Sequence, residues 1–362
     1  QLLLLALNGR EEVLGSEHPD TLMSANSLGV LLRDLADYKG AEALYRRTLK
    51  GREKTLGAEH PDTLLCLNNL GVLLLDLGDY DEAELLFRRA LQGREKALGT
   101  NHPHTLMSVN NLGVLLRDKG DFNEAENLYR RALEGREKAL GPEHPHTLWS
   151  VDNLGVLLRD KGEHEAAEAL FRRAIDGQEK ALGAEHRHTL WHVNNFADLL
   201  RKKGDYERAE HLFRRALEGR EKALGPEHPH TLWSADNLGV LLSNKRESKE
   251  AEALLHRALK GYQKALGTQH PDTLGTVKNL GILLNTSNRR REALELLHAW
   301  VALSERAEDA LRYNLACYEC LDGNLEEAKR LISKHLSLHP DEKDQALQDS
   351  DLGAIRVFIE TL

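Results

Sequence analysis

The chain has 362 residues, of which 41% are apolar, 30% charged and 5% aromatic, with a formal net charge of -9. That acidic balance excludes a global basic field for nucleic acid or an anionic membrane, and apolar runs such as Val72 to Leu75 are far too short to span a bilayer. No signal peptide is visible. Three cysteines, Cys66, Cys317 and Cys320, are too few for a disulfide framework and suit a reducing compartment, so a cytoplasmic location is expected.

Residues 1–17 align with the second half of a unit that recurs further on, Gly9-Arg10-Glu11 falling where Gly51-Arg52-Glu53 stands one period later. They read as one helix and a loop. The uncovered face of that helix calls for an upstream repeat, a cap or end-to-end contact with another copy.

From residue 18 the string His-Pro-His/Asp-Thr-Leu sets a fixed period, its His falling at His18, His60, His102, His144, His186, His228 and His270, 42 residues apart. Fixed-period self-similarity implies stacked units, each touching its neighbours. Residues 18–306 hold seven of them, each predicted to be two antiparallel helices. In the second, the first helix covers about 61–77, with Pro61 at the first helical position, Asp62 in the first turn, and Leu64, Leu67, Leu70, Leu73 and Leu74 at helical spacing. The second helix covers about 80–98, with Ala83, Leu86, Phe87 and Ala90 inward and Gly99 as its stop. Gly71 and Ala83, one on each helix, recur in later units and predict close backbone approach, with Phe87, Tyr129, Phe171 and Phe213 filling the space beside it. The pattern decays towards the C-terminus. The seventh unit is degenerate, residues 307–340 form a shorter unit of the 34-residue kind, and residues 341–362 read as a polar cap with a helix at about 351–361.

Few residues suggest chemistry. His-x-His pairs such as His144/His146 could hold a metal, but Asp20, Asp62 and Asp272 replace the second His in the same helix-start context, so capping is the better reading and no metal is expected. Cys317 and Cys320 lie one helical turn apart with no second pair, which predicts core thiols. No phosphate loop or nucleophile arrangement is present, so neither a cofactor nor catalysis is expected. The repeated Arg-Arg pairs sit on a Glu-rich helix and predict an ion-paired, solvated face.

The small residue, the later Ala, the aromatic and the terminal Pro340 resemble the tetratricopeptide repeat, over about residues 1–340. The 42-residue length, Asn68-Asn69-Leu70 and Arg94-Glu95-Lys96-Ala97-Leu98-Gly99 resemble the longer repeats of kinesin light chains. The resemblance implies an all-α, right-handed α-solenoid superhelix whose first helices line a concave groove. On that face it places an asparagine row, Asn69, Asn111, Asn153, Asn195, Asn237 and Asn279, beside an apolar row that includes Met107, Trp149, Trp191 and Trp233. Asn offers a donor and an acceptor to a peptide backbone, and Trp and Met offer contact area. Arg117, Arg159 and Arg201 recur at the groove edge and could hold an acidic ligand, local ion pairing being as good a reading. The expected function is a non-catalytic scaffold or adaptor binding a protein or peptide in the groove. The alternatives are the sensing region of a larger signalling protein with a nucleotide-binding or effector domain upstream, and a structural protein that self-assembles through its first helix.

Overall fold

The computed structural model describes residues 2–362, and every regular element among them is helical. The chain divides into two compact units, the first ending at His228 and the second running Pro229–Leu362. In the first, α1 (Leu2–Leu14) precedes five helix pairs. These are α2 (Pro19–Asp34) with α3 (Tyr38–Thr55), α4 (Pro61–Asp76) with α5 (Tyr80–Leu98), α6 (Pro103–Asp118) with α7 (Phe122–Leu140), α8 (Pro145–Asp160) with α9 (His164–Leu182), and α10 (Arg187–Lys202) with α11 (Tyr206–Leu224).

The recurring string is a helix-start device. His60 has extended backbone, and its Nδ1 accepts the N–H of Asp62 at 3.2 Å; His18, His102, His144 and His186 do the same. This satisfies one of the amides that a helix N-terminus leaves unpaired. Thr63 donates its hydroxyl to Gly57 O at 2.8 Å and ties down the incoming loop, as Thr105 does to Gly99 O. Leu64 then plugs the core against Gly93 of α5, where an added Cβ would lie 2.5 Å from Leu64 Cδ2.

The second small contact is as close. A Cβ at Gly113 would lie 2.9 Å from Tyr129 Cε1, and one at Gly71 would lie 2.8 Å from Phe87 Cε1. Both rings are wholly buried. Gly113→Val therefore forces the α6–α7 pair apart and is expected to cost about 1–3 kcal/mol, as overpacking does. The denaturation midpoint measures it, and an unmoved midpoint would contradict the packing account.

The second unit contains α12 (Pro229–Asn244), α13 (Ser248–Ala265), α14 (Pro271–Thr286), α15 (Arg290–Val301), α16 (Glu305–Asp322) and α17 (Leu325–Leu338), then short helices α18 (Lys343–Gln348) and α19 (Arg356–Thr361). The sequence decay leaves the turns intact: Arg246 (φ 64) and Asn288 (φ 61) take the left-handed backbone that Gly120 (φ 87) takes in the first unit. The C-terminal segment departs from the predicted single helix at 351–361, because Ser350–Ile355 is 3₁₀ and only Arg356–Thr361 is α-helical. Asp349 accepts the Asp351 N–H on its side chain at 2.9 Å and the Leu352 N–H on its carbonyl at 3.3 Å. This tight start, with Gly353 following, favours the three-residue hydrogen-bond period.

Candidate functional site

Consecutive first helices pack on one another, α2 to α4, α6, α8 and α10 in the first unit and α12 to α14 and α16 in the second. The asparagines sit on this shared face. Asn69 Nδ2 donates to Asn26 Oδ1 at 3.3 Å, Asn111 to Asn68 at 3.3 Å, Asn153 to Asn110 at 3.2 Å and Asn195 to Asp152 Oδ2 at 2.8 Å. In the second unit Asn279 donates to Asp236 Oδ2 at 2.9 Å, and Asn237 is half-buried on α12. Each donated bond reaches the preceding first helix, so the row stitches repeat to repeat. The Oδ1 atoms of Asn69, Asn111, Asn153, Asn195 and Asn279 accept no donor among the described residues; Asn153 and Asn195 are buried, and Asn69, Asn111 and Asn279 are half-buried. One amide hydrogen is spent on architecture, while the carbonyl is left without a donor.

Beneath this row runs a polar relay that the sequence reading did not assign. Arg136 of α7 donates to His146 O and to Ser150 Oγ, both at 2.8 Å. Ser150 Oγ donates to Asn110 Oδ1 at 3.2 Å, the oxygen that Asn153 also reaches. Arg94, Ser108 and Asn68 repeat the arrangement one unit earlier. Burial without a carboxylate pushes the pKa of Arg94 and of Arg136 down to about 10, yet both stay cationic at neutral pH. The available signal was spacing: an Arg ten residues before a helix-start carbonyl and fourteen before a Ser. The next unit replaces all three members. Gln178 stands for the Arg, His192 for the Ser and Asp152 for the Asn, with His192 Nδ1 3.0 Å from Asp152 Oδ1 and both residues at 0% exposure.

The aromatic row begins with Met107, half-buried on α6. Trp149 on α8 has its ring 5.7 Å from that of Trp191 on α10, and meets His188 and His192 edge-on at 5.3 and 5.2 Å. Burial, then Arg187 and the neighbouring histidines, push the His188 pKa down to about 4, so a neutral imidazole faces Trp149 at neutral pH. Trp191 is backed by Arg220, whose guanidinium carbon lies 5.6 Å from the ring centroid. These contacts fix two half-buried indoles in one shelf. Trp233 is half-buried on α12 in the second unit.

The edge arginines are engaged by carboxylates. Arg159 pairs with Asp160 at 2.8 Å and Asp198 at 2.9 Å, Arg201 pairs with Asp198 at 2.6 Å, and Arg117 pairs with Asp118 at 2.5 Å. Burial opposes the charge on Asp198, but Arg159 and Arg201 overcome it and hold its pKa below the usual carboxylate range. At the same edge Asp34, the last residue of α2, lies 3.5 Å from Arg187, and its carbonyl is 2.9 Å from His228 Nε2. The inner face of the first unit therefore closes on itself there.

The other flagged groups have local partners. His144 Nδ1 is used by the His146 N–H, and the two rings stand 5.3 Å apart. Among the described residues no three His, Cys, Asp or Glu side chains converge as metal ligands, and no helix is long and apolar enough to cross a membrane. Burial raises the Cys317 thiol pKa, and Asp349 raises it further from 3.7 Å away. Of each Arg-Arg pair, Arg130 meets Glu126 at 2.7 Å and Arg131 meets Glu95 at 2.6 Å, the second linking successive second helices.

A family model described as tetratricopeptide repeat matches residues 1–54, 29–96, 63–138, 104–180 and 186–248, and a second of the same description matches 231–272. No curated protein matches the sequence. Among solved structures, a protein of Podosopora anserina described as a kinesin light chain with nearly identical TPR-like repeats is 26% identical, over 57% of this chain and 97% of that one, with a TM-score of 0.44. The Rap conjugation gene regulator of plasmid pLS20, solved with the Phr* peptide, is 16% identical over 84% of this chain and 78% of that one, with a TM-score of 0.64. A Rap protein complexed with Competence and Sporulation Factor is 14% identical over 95% and 99%, with a TM-score of 0.60. The two Rap likenesses are likenesses of fold.

Proposed function

The chain belongs to the tetratricopeptide-repeat family, and from that premise we propose a non-catalytic interaction scaffold that binds an extended peptide segment along the inner faces of its first helices. The observation that carries this reading is the row of asparagine carbonyls. Each is held at a fixed place by the bond its own amide makes, and each is left as an acceptor. A rigid acceptor presented once per repeat suits N–H groups spaced along one side of an extended backbone, and a pre-organised acceptor costs little entropy to use. The Trp149–Trp191 shelf beside it supplies apolar area for a side chain. The closed edge at Asp34 and Arg187 favours a slender segment over a folded domain. Because Arg117, Arg159 and Arg201 are neutralised by neighbouring carboxylates, they serve this reading as walls of the groove rather than as anion receptors.

The test is selection from a displayed library of random decapeptides, followed by affinities of the enriched peptides for variants. Trp149→Ala is expected to weaken them about tenfold or more, as loss of a central aromatic anchor does. Leu85→Ala, on an exposed side chain of α5, is expected to leave them unchanged. Equal affinities for both variants and the parent would remove the groove from the account.

A further inference from the structure

Proline opens the first helix at Pro19, Pro61, Pro103, Pro145, Pro229 and Pro271, but on α10 Arg187 takes its place. The helix start does not need the change, because His186 Nδ1 still accepts the His188 N–H at 3.2 Å. On its own helix the arginine is misplaced, since a cation at an N-terminus meets the positive end of the dipole. Asp34 is misplaced in the opposite sense, an acid at the C-terminus of α2. Its counterparts in the next units are answered by near arginines: Asp76 by Arg33, Asp118 by Arg117 and Asp160 by Arg159. Asp34 stands at the end of this ladder, with the adjacent Arg33 spent on Asp76. The cation paired with its carboxylate is Arg187, at 3.5 Å, and its carbonyl lies 2.9 Å from His228 Nε2. The end of α2 thus rests against the starts of two much later repeats.

We infer that Asp34 and Arg187 are the clasp of a ring that opens, and that the groove admits its peptide when the clasp parts. The inference rests on the groove reading above and adds how the groove is entered. The first unit coils far enough for the end of α2 to meet the start of α10, so the inner faces between them are enclosed at that edge. Elsewhere around the ring the helices are joined by wholly buried leucines such as Leu157 and Leu199, whose exposure would be far more costly. At the clasp the two side chains are 49% and 40% exposed. An exposed ion pair shifts an equilibrium by no more than roughly fivefold, and salt screens it further. The clasp is therefore the seam at which the ring parts, and the closed form outweighs the open one only modestly.

Spin labels on the full chain at Leu35→Cys and Glu185→Cys measure the gap by pulsed electron resonance, the three native thiols being buried. Arg187→Pro restores the residue of the other repeats, so it is compatible with the start of α10. It is expected to move the distance distribution from a dominant short separation towards a long one. Asp34→Arg should do the same, and Asp34→Arg combined with Arg187→Asp should bring the short separation back. A peptide enriched from the decapeptide library should associate about threefold faster with Arg187→Pro, the gain when a closed form favoured fivefold becomes evenly matched. Identical distributions for the parent and Arg187→Pro overturn the clasp and leave the groove reading standing. A shifted distribution with an unchanged association rate overturns the gate. No enrichment by either the parent or Arg187→Pro overturns the groove reading, and the gate with it.

Discussion

His192→Ala is expected to lower the unfolding free energy by about 1–3 kcal/mol, the penalty for leaving a buried polar group without its neighbour. The pair with Asp152 is wholly enclosed, with His192 Nδ1 3.0 Å from Asp152 Oδ1. After the substitution Asp152 keeps only the Asn195 bond at 2.8 Å. The neighbouring unit shows how the same space is filled without ionisable acid, through Arg136, Ser150 and Asn110. The triple change Gln178→Arg, His192→Ser and Asp152→Asn copies that solution and is expected to recover most of the loss. Guanidinium unfolding followed by circular dichroism measures both. A cost under about 1 kcal/mol for His192→Ala, the size of an ordinary neutral hydrogen bond, would show that the two side chains are not coupled.

That relay also marks where the sequence could be read and where it could not. The 42-residue period, the prolines at first helical positions and the small-residue contacts are local signals, and Gly71 beside Phe87 is built as the pattern predicts. The asparagine row was legible as a row, because helical spacing places those residues on one face. Its bonds were not. They join residues 43 apart across two helices, as Asn153 and Asn110 are joined, and nothing local in the sequence fixes that register. The same holds at the groove edge. Lys202 occupies the place where Asp160 stands one unit earlier, which looks like a lost acid. In the fold Asp198, one turn back, supplies the carboxylate, and Lys202 pairs with Asp160 at 3.1 Å. Compensation of this kind crosses the repeat boundary, so it becomes visible only when the helices are stacked.

The largest pH effect is expected from Asp236, the same repeat position as Asp152 with a different fate. Its neighbours are Thr276, Asn279 and the carboxylate of Asp272, with no cation among the groups that shift it. Burial, and secondarily Asp272, push its pKa up to about 7 from 3.8. The folded state therefore keeps this proton over an interval in which the unfolded chain has released it. The contribution to stability is full below the unfolded value, falls as pH rises through the interval, and levels above about 7. The integrated loss is at most about 4 kcal/mol, at roughly 1.4 kcal/mol per pH unit. Asp236→Asn removes it, and asparagine already fills this position as Asn26, Asn68, Asn110 and Asn194. An asparagine Oδ1 can still accept from Asn279 Nδ2, which now meets Asp236 Oδ2 at 2.9 Å. The variant should match the parent near pH 4 and exceed it at pH 8, with the gap opening between. Melting curves at those two values decide it, and a gap of equal size at both would assign any gain to packing rather than to the buried charge.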